Sequence, residues 1–177
     1  KEENKGKKIY LEIGMGKGDF IYEMAKKHPN INFVGIEKYS NVLARAIKKY
    51  PEGLANLKVI NLDALQLQDV FLQEIDTIYL NFSDPWPKVR HQSRRLTSEV
   101  FLNIYDSLFK DTKRIVMKTD NLGLFASSLV SLSNHGYIFR DVTLDLHNSD
   151  IPNVLTEYEK KFSSQGVKIN YLEAVKK

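Results

Sequence analysis

The sequence predicts an α/β fold, with a mostly parallel sheet and helices wound over both faces. Three observations lead there. Strand-like and helix-like patterns alternate from residue 9 to about residue 135, which is the rhythm of right-handed crossovers between parallel strands. The first strand pattern runs directly into a glycine-rich turn and then a helix. The last two strand patterns have no helix between them, which predicts an antiparallel pair at one sheet edge.

The elements follow in order. Lys1–Lys8 is polar and basic and reads as a flexible arm. Ile9–Ile13 is an apolar strand, and Gly14-Met15-Gly16-Lys17-Gly18 turns the chain into a helix over Asp19–His28, with Phe20, Ile21, Met24 and Ala25 on one face. Ile31–Ile36 is a second buried strand, ended by Glu37. Asn41–Tyr50 is a helix striped by Val42, Leu43, Ala46 and Ile47. Leu57–Leu62, Ile75–Asn81 and Arg114–Lys118 are further strands, and Ser98–Phe109 and Leu122–Asn134 are helices. Tyr137–Leu144 and Val167–Ala174 are the closing strands. Between them Asp145–Gly166 is polar and irregular, long for a plain connection.

A length of 177 residues suits one domain over 1–177, and 42% apolar residues suffice for a core. The absence of Cys excludes disulfides and thiolate metal sites, and fits a cytoplasmic protein. No apolar run approaches the roughly 20 residues of a membrane span. The first residue is Lys1 rather than Met, so further chain is expected upstream. The net charge of +4 says little by itself; its distribution says more.

The turn at residues 14–18 reads Gly-x-Gly-x-Gly, without the Gly-x-Gly-x-x-Gly spacing of dinucleotide enzymes. Glycines let a ligand approach where a Cβ would clash. A smaller adenosyl ligand suits this turn, although a purely structural turn uses the same residues. Glu12, before the first glycine, can meet the ammonium of a methionine moiety. Glu37 follows the turn by about 20 residues, where a carboxylate accepts from ribose hydroxyls. Asp63, after Asn61 and Leu62, can reach an adenine amine. Glu37 also reads as a solvated strand end, and Asp63 as a helix cap. Acidic residues at three successive strand ends favour the adenosyl reading.

The fourth strand ends in Asn81-Phe82-Ser83-Asp84-Pro85-Trp86-Pro87. In open parallel sheets such a segment faces the cleft, and its two prolines stiffen it. Trp86 suits either packing or base stacking. Lys88-Val89-Arg90-His91-Gln92-Ser93-Arg94-Arg95 follows, and a phosphate backbone is its natural target beside a cleft.

These motifs, with Leu11-Glu12-Ile13-Gly14-x-Gly16-x-Gly18, Thr119-Asp120 and Thr156-x-Tyr158-Glu159, resemble the bacterial single-subunit tRNA (guanine-N7)-methyltransferase family over residues 11–159. The Asp-Pro-Trp-Pro and Arg-His-x-x-Arg-Arg block is the most specific part. The resemblance implies a class I methyltransferase fold, Rossmann-like, with a seven-stranded sheet whose last strand is antiparallel. It implies methyl transfer from S-adenosylmethionine to N7 of a guanine in the variable loop of tRNA. Glu12, Gly14, Gly16, Gly18, Glu37, Asp63, Ala64 and Asp84 would then hold the cofactor. Lys88, Asp120, Thr156, Tyr158 and Glu159 would line the guanine pocket, and Arg90, His91, Arg94 and Arg95 would contact RNA. Members of the family often carry a basic residue where this chain has Ser93. No metal and no membrane is implied, and the protein would work as a monomer or homodimer.

The chemistry explains an absence. Guanine N7 has a lone pair and no proton, so no general base is needed, and positioning carries the reaction. Asp84, Asp120 and Glu159 are the candidates for stabilising positive charge that develops on the ring. An amino-methyltransferase also carries a proline-rich motif after the fourth strand, but without a Trp between two prolines and a basic run behind it. The intact Glu12, Glu37 and Asp63 set argues against a catalytically dead RNA-binding module, and the glycine spacing argues against a nicotinamide oxidoreductase.

Overall fold

The structure is a computed structural model and describes residues 6–162 and 165–177. Its strands are β1 (Ile9–Ile13), β2 (Asn32–Glu37), β3 (Leu57–Asn61), β4 (Thr77–Asn81), β5 (Lys113–Thr119), β6 (Ile138–Thr143) and β7 (Asn170–Lys176). They form one seven-stranded sheet in the order β3-β2-β1-β4-β5-β7-β6. The β1–β2, β1–β4, β2–β3 and β4–β5 pairs are parallel. β7 is antiparallel to both β5 and β6. The expected architecture and antiparallel closing pair are therefore present, with β7 inserted inside β6.

Strands buried on both faces read as continuous apolar runs rather than alternating ones. β4, Thr77-Ile78-Tyr79-Leu80-Asn81, is buried at every residue. On one face, Leu11, Ile36, Leu80 and Met117 pack with α3 (Glu99–Leu108) and α4 (Leu122–Asn134), where Tyr105, Leu102 and Phe125 are fully enclosed. On the other, α1 (Asp19–Lys27) and α2 (Ser40–Lys49) close over Phe33 through Ile21, Ala25, Leu43 and Ala46.

Three expectations need correction. The last strand, expected over Val167–Ala174, runs over Asn170–Lys176. The fourth strand is regular from Thr77 rather than Ile75, with Ile75 forming an isolated parallel bridge to Phe109 and Asp76 between them bonded to Ile9. The Asp76 carboxylate accepts from Ile9 N at 2.7 Å and its amide donates to Ile9 O at 2.9 Å. The stretch expected to be irregular holds a 3-10 turn over Leu146–Asn148 and a short helix, α5 (Glu157–Phe162). Residues 1–5 of the expected arm lie outside the described residues, and Lys8 already accepts a bond from Asn32 N at 2.9 Å. β6 carries a bulge at Arg140, where the register with β7 shifts between Phe139 and Asp141.

Gly35, in β2, is required by packing. A Cβ there would overlap Met15 Sδ and touch Ile21 Cδ1 at 3.5 Å. Gly35→Ala is expected to destabilise the protein by about 1–3 kcal/mol through overpacking. Because Met15 is the obstacle, Gly35→Ala/Met15→Ala should cost less than the sum of the two single changes in chemical denaturation. Simple additivity would show that Met15 is not what Gly35 makes room for.

Candidate active site

The glycine turn sits at the carboxyl end of β1, beside the point where the strand order reverses between β1 and β4. Gly14, Gly16 and Gly18 all have positive φ, 74°, 57° and 81°, a region that glycine enters without penalty. Gly14 N and Met15 N both donate to Ile36 O, at 2.8 and 3.0 Å, and tie the turn to β2. Glu37 completes the tie. One carboxylate oxygen accepts from Gly16 N at 3.0 Å and the other from Tyr39 N at 2.9 Å. Nothing lies within 4 Å of where a Cβ on Gly14 or Gly16 would stand, so the turn borders open space.

That space is a cavity of about 620 Å³ bordered by Glu12, Gly16, Phe20, Asn81, Phe82 and Tyr158, among others. Glu12 lies at its floor, 2% exposed. Oε1 accepts from Asn81 Nδ2 at 2.8 Å, whereas Glu12 Oε2 and Asn81 Oδ1 are buried and have no hydrogen-bond partner among the described residues. Burial pushes the Glu12 carboxyl up to about 8, against the bond from Asn81 and the nearby Lys118 charge. Two unsatisfied buried acceptors form a costly arrangement unless a donor meets them. A ligand ammonium, with three donors and a positive charge, is the complementary group.

The opposite wall is α5. Thr156 and Glu159 form a capping box: Glu159 N donates to Thr156 Oγ1 at 3.0 Å, and Thr156 N donates to Glu159 Oε2 at 2.9 Å. The Thr-x-x-Glu spacing was the available signal for this helix. Glu159 is fully buried, and Lys118 Nζ, Asn153 Nδ2 and His147 Nε2 lie on its carboxylate at 2.5, 2.9 and 3.2 Å. Burial acts to raise this carboxyl, and the Lys118 ammonium together with the bonds from Thr156 N and Asn153 outweighs it, holding Glu159 below the ordinary range. Glu159 is therefore an internal anchor, not a side chain presented to the cavity. Tyr158 is on the open side, its ring 4.8 Å from Phe82, and its hydroxyl donates to the exposed Asp120 at 2.9 Å.

Of the residues expected at the site, Glu12, Gly14, Gly16, Gly18, Thr156 and Tyr158 border the cavity. Glu37 stands behind the turn. Asp63 caps the 3-10 turn over Ala64–Asp69 through Leu65 N at 3.0 Å and pairs with Lys38 at 2.7 Å; Lys38 and that amide hold its carboxyl low. Ala64 is half-buried against the core. Asp84 and Lys88 are exposed on the loop after β4. That loop is strained, with φ of 51° at Phe82 and 40° at Trp86. Arg95 fastens it, donating from Nε to Pro85 O at 3.0 Å and from Nη2 to Trp86 O at 3.1 Å. The basic run is a 3-10 helix over Val89–Arg94. Arg94 lies 5.0 Å over the Trp86 ring and His91 meets that ring edge-on at 5.7 Å, while Arg90 is exposed. Trp86 thus packs within the loop. Sequence reasoning did not single out Asn81, Phe82 or Lys118 as site residues, because nothing in their spacing marks them.

A glycine turn after the first strand, a buried acidic floor at the topological reversal and an antiparallel β7 define a class I methyltransferase. Residues 6–172 match a family model described as "Putative methyltransferase". A tRNA (guanine-N(7)-)-methyltransferase of Geobacillus kaustophilus is 52% identical over 171 residues, covering 95% of this chain and 79% of the relative. One of Geobacillus sp. strain WCH70 is 53% identical over 164 residues, covering 91% and 74%. The chain belongs to the tRNA (guanine-N7)-methyltransferase family. A crystal structure of an S-adenosylmethionine-dependent methyltransferase from Aquifex aeolicus superimposes with TM-score 0.64 at 15% identity, covering 98% of this chain and 86% of the other, which supports the fold alone.

The raised Glu12 carboxyl sets a pH dependence. In the unfolded chain a Glu titrates near about 4.3; folded, this one titrates at about 8. The folded state therefore favours the protonated form, and wild-type stability is lost as pH rises between those values. Glu12→Gln, which cannot ionise, should melt progressively higher than wild type from pH 5 to 8, with the gap level above about pH 9. A gap that is constant with pH would mean that Glu12 is not held neutral.

Proposed function

We propose that this chain transfers a methyl group from S-adenosylmethionine to N7 of a guanine in the variable loop of tRNA, within one domain. The observation that carries the reading is the pair of acceptors, Glu12 Oε2 and Asn81 Oδ1, that find no partner among the described residues and lie beside an open glycine turn. They suit the ammonium of the methionine moiety. Glu37, Asp63, Ala64 and Asp84 are the remaining cofactor residues of the proposal. For Asp63, adenine contact requires Lys38 to give up one oxygen. When bound, S-adenosylmethionine supplies an electrophilic methyl group on a sulfonium sulfur.

The protein's own residues then have to bind, orient and exclude water. Guanine N7 presents a lone pair without a proton, so no side chain has to remove one. Phe82 and Tyr158 form an aromatic wall on the cavity's open side. Asp120, oriented by the Tyr158 hydroxyl, is the proposed partner for the guanine edge and for ring charge that develops on methylation. Asp84 and Lys88, on the adjoining loop, complete the base site. Thr156 and Glu159 act by holding α5, since their polar atoms are engaged with each other. Arg90, His91 and Arg94 form the RNA-facing surface. Arg95, bonded to two carbonyls of its own loop, supports it from behind.

This divides two neighbouring arginines. Arg94→Ala should weaken tRNA binding and flatten the slope of log affinity against log salt by about 0.7–0.9. Arg95→Ala should instead lower the melting temperature, losing about 1–3 kcal/mol from two charged hydrogen bonds. Titrations at several salt concentrations together with thermal melts separate the two, and equal salt slopes for wild type and Arg94→Ala would remove Arg94 from the RNA surface.

The reaction itself is tested with tRNA carrying 7-deazaguanine at the methylated position. No methyl should be transferred, because the nucleophilic nitrogen is gone. Transfer at the wild-type rate would place the methyl on another atom.

A further inference from the structure

Lys118 has no part in the reaction as proposed, yet its side chain is only 3% exposed and its three donors are all committed. Nζ donates to Glu159 Oε2 at 2.5 Å, to Asn153 Oδ1 at 3.0 Å and to Val154 O at 2.9 Å. It also stands 5.0 Å over the ring of Phe20 in α1. From the end of β5, one ammonium thus grips the chain entering α5, the anchor of α5 itself and the helix behind the glycine turn.

We infer that Lys118 is a positioning residue that sets the wall of the base pocket, holding α5 and its Tyr158 at a fixed distance from the Glu12 floor. The inference deepens the proposed function and rests on it for the identity of the substrate.

Three observations support it. First, α5 has only six described residues, Glu157–Phe162. Isolated helices shorter than about 12–15 residues are marginal in water, so this one depends on external restraint. Second, the buried restraints converge on one carboxylate. Lys118, Asn153, His147 and the Thr156 amide all meet Glu159. Third, the end of β5 and the residue just after it hold the helix at two points. Lys118 grips it from inside, and Asp120, two residues further on, accepts the Tyr158 hydroxyl from outside. A buried ion pair is a poor source of net stability compared with apolar side chains of the same volume. Its advantage here is directional. It admits one placement of Glu159, and through the helix one placement of Tyr158 against Phe82.

The test is the full chain carrying Lys118→Met with Glu159→Gln. Met keeps the apolar stem, and Gln still accepts from Thr156 N, since a capping box takes Glu or Gln. The ion pair is lost without leaving a lone buried charge. We expect a cooperative unfolding transition close to that of wild type. With neither cofactor nor tRNA present, amide hydrogen exchange at residues 156–160 should rise by about tenfold or more while the β1 and β4 amides stay protected. Turnover on tRNA should fall about 100-fold, as expected when a reacting group is displaced by about an ångström. The tRNA KM should change little, because Arg90 and Arg94 are on another segment. Wild-type protection at 156–160 in the folded variant would overturn the inference, whatever happens to turnover, because Glu159 would then act by touching substrate. Faster exchange spread evenly over the sheet would also overturn it, by making the pair a general stabiliser. If the double variant does not fold, Glu159→Gln alone is read by the same exchange measurement. Wild-type protein that transfers no methyl to tRNA would defeat the proposed function, and the exchange result would still decide the role of Lys118.

Discussion

The carboxylate of Glu12 is enclosed at the carboxyl end of β1, flanked by β2 and β4, with one oxygen bonded by Asn81 and the other without a donor among the described residues. Much of the surrounding structure is arranged around that group. The glycine turn borders the same cavity, with no Cβ at Gly14 or Gly16, and is tied to Ile36 O and to Glu37. The neighbouring charges are settled in pairs of their own. Asp19 is bonded twice by Lys49, and Lys118 is bonded to Glu159. A ligand cation arriving at Glu12 therefore meets an acceptor without a resident competitor. The carboxylate is buried, and electrostatic interaction is stronger there than at a surface.

The two halves of the cleft are built by different means. The half near β1 and β2 is carried by the sheet, whose strands are buried on both faces and hydrogen-bonded on both sides. The half near α5 and the loop after β4 has little secondary structure behind it. Side chains hold it instead: Arg95 bonds successive carbonyls of the loop, Trp86 stacks beneath Arg94, and Lys118 pins the helix. The positive φ values of Phe82 and Trp86 fall in this half. Such backbone persists only where its surroundings over-determine it.

This contrast also explains what could be read from the sequence. The parallel core was legible because fully buried strands leave uninterrupted apolar runs such as Ile78-Tyr79-Leu80 between turn residues. The glycine turn, Glu12 and Glu37 were legible because their spacing follows from strand geometry. α5 was missed because six residues give too short a window for a helical period, although Thr156-x-x-Glu159 carried a capping signature. The side of the structure on which Glu159 is spent, and the different placements of Arg94 and Arg95, were not legible. The first depends on contacts between segments as far apart in the chain as Lys118 and Glu159, the second on how the loop folds back to present the Pro85 and Trp86 carbonyls and the Trp86 ring. Local pattern reports which residues are charged, not which charges find partners on folding.

The bulge in β6 has a bearing beyond the cleft. β6 is the outermost strand at its end of the sheet, and Ile138 and Val142 are exposed there. A straight apolar strand in that position would be a template on which other copies could add, strand by strand, into an aggregate. The extra residue at Arg140 breaks the regular ladder halfway along and places Arg140 and Asp141 side by side. The interruption thus shortens the run of regular edge that β6 offers to a neighbouring strand.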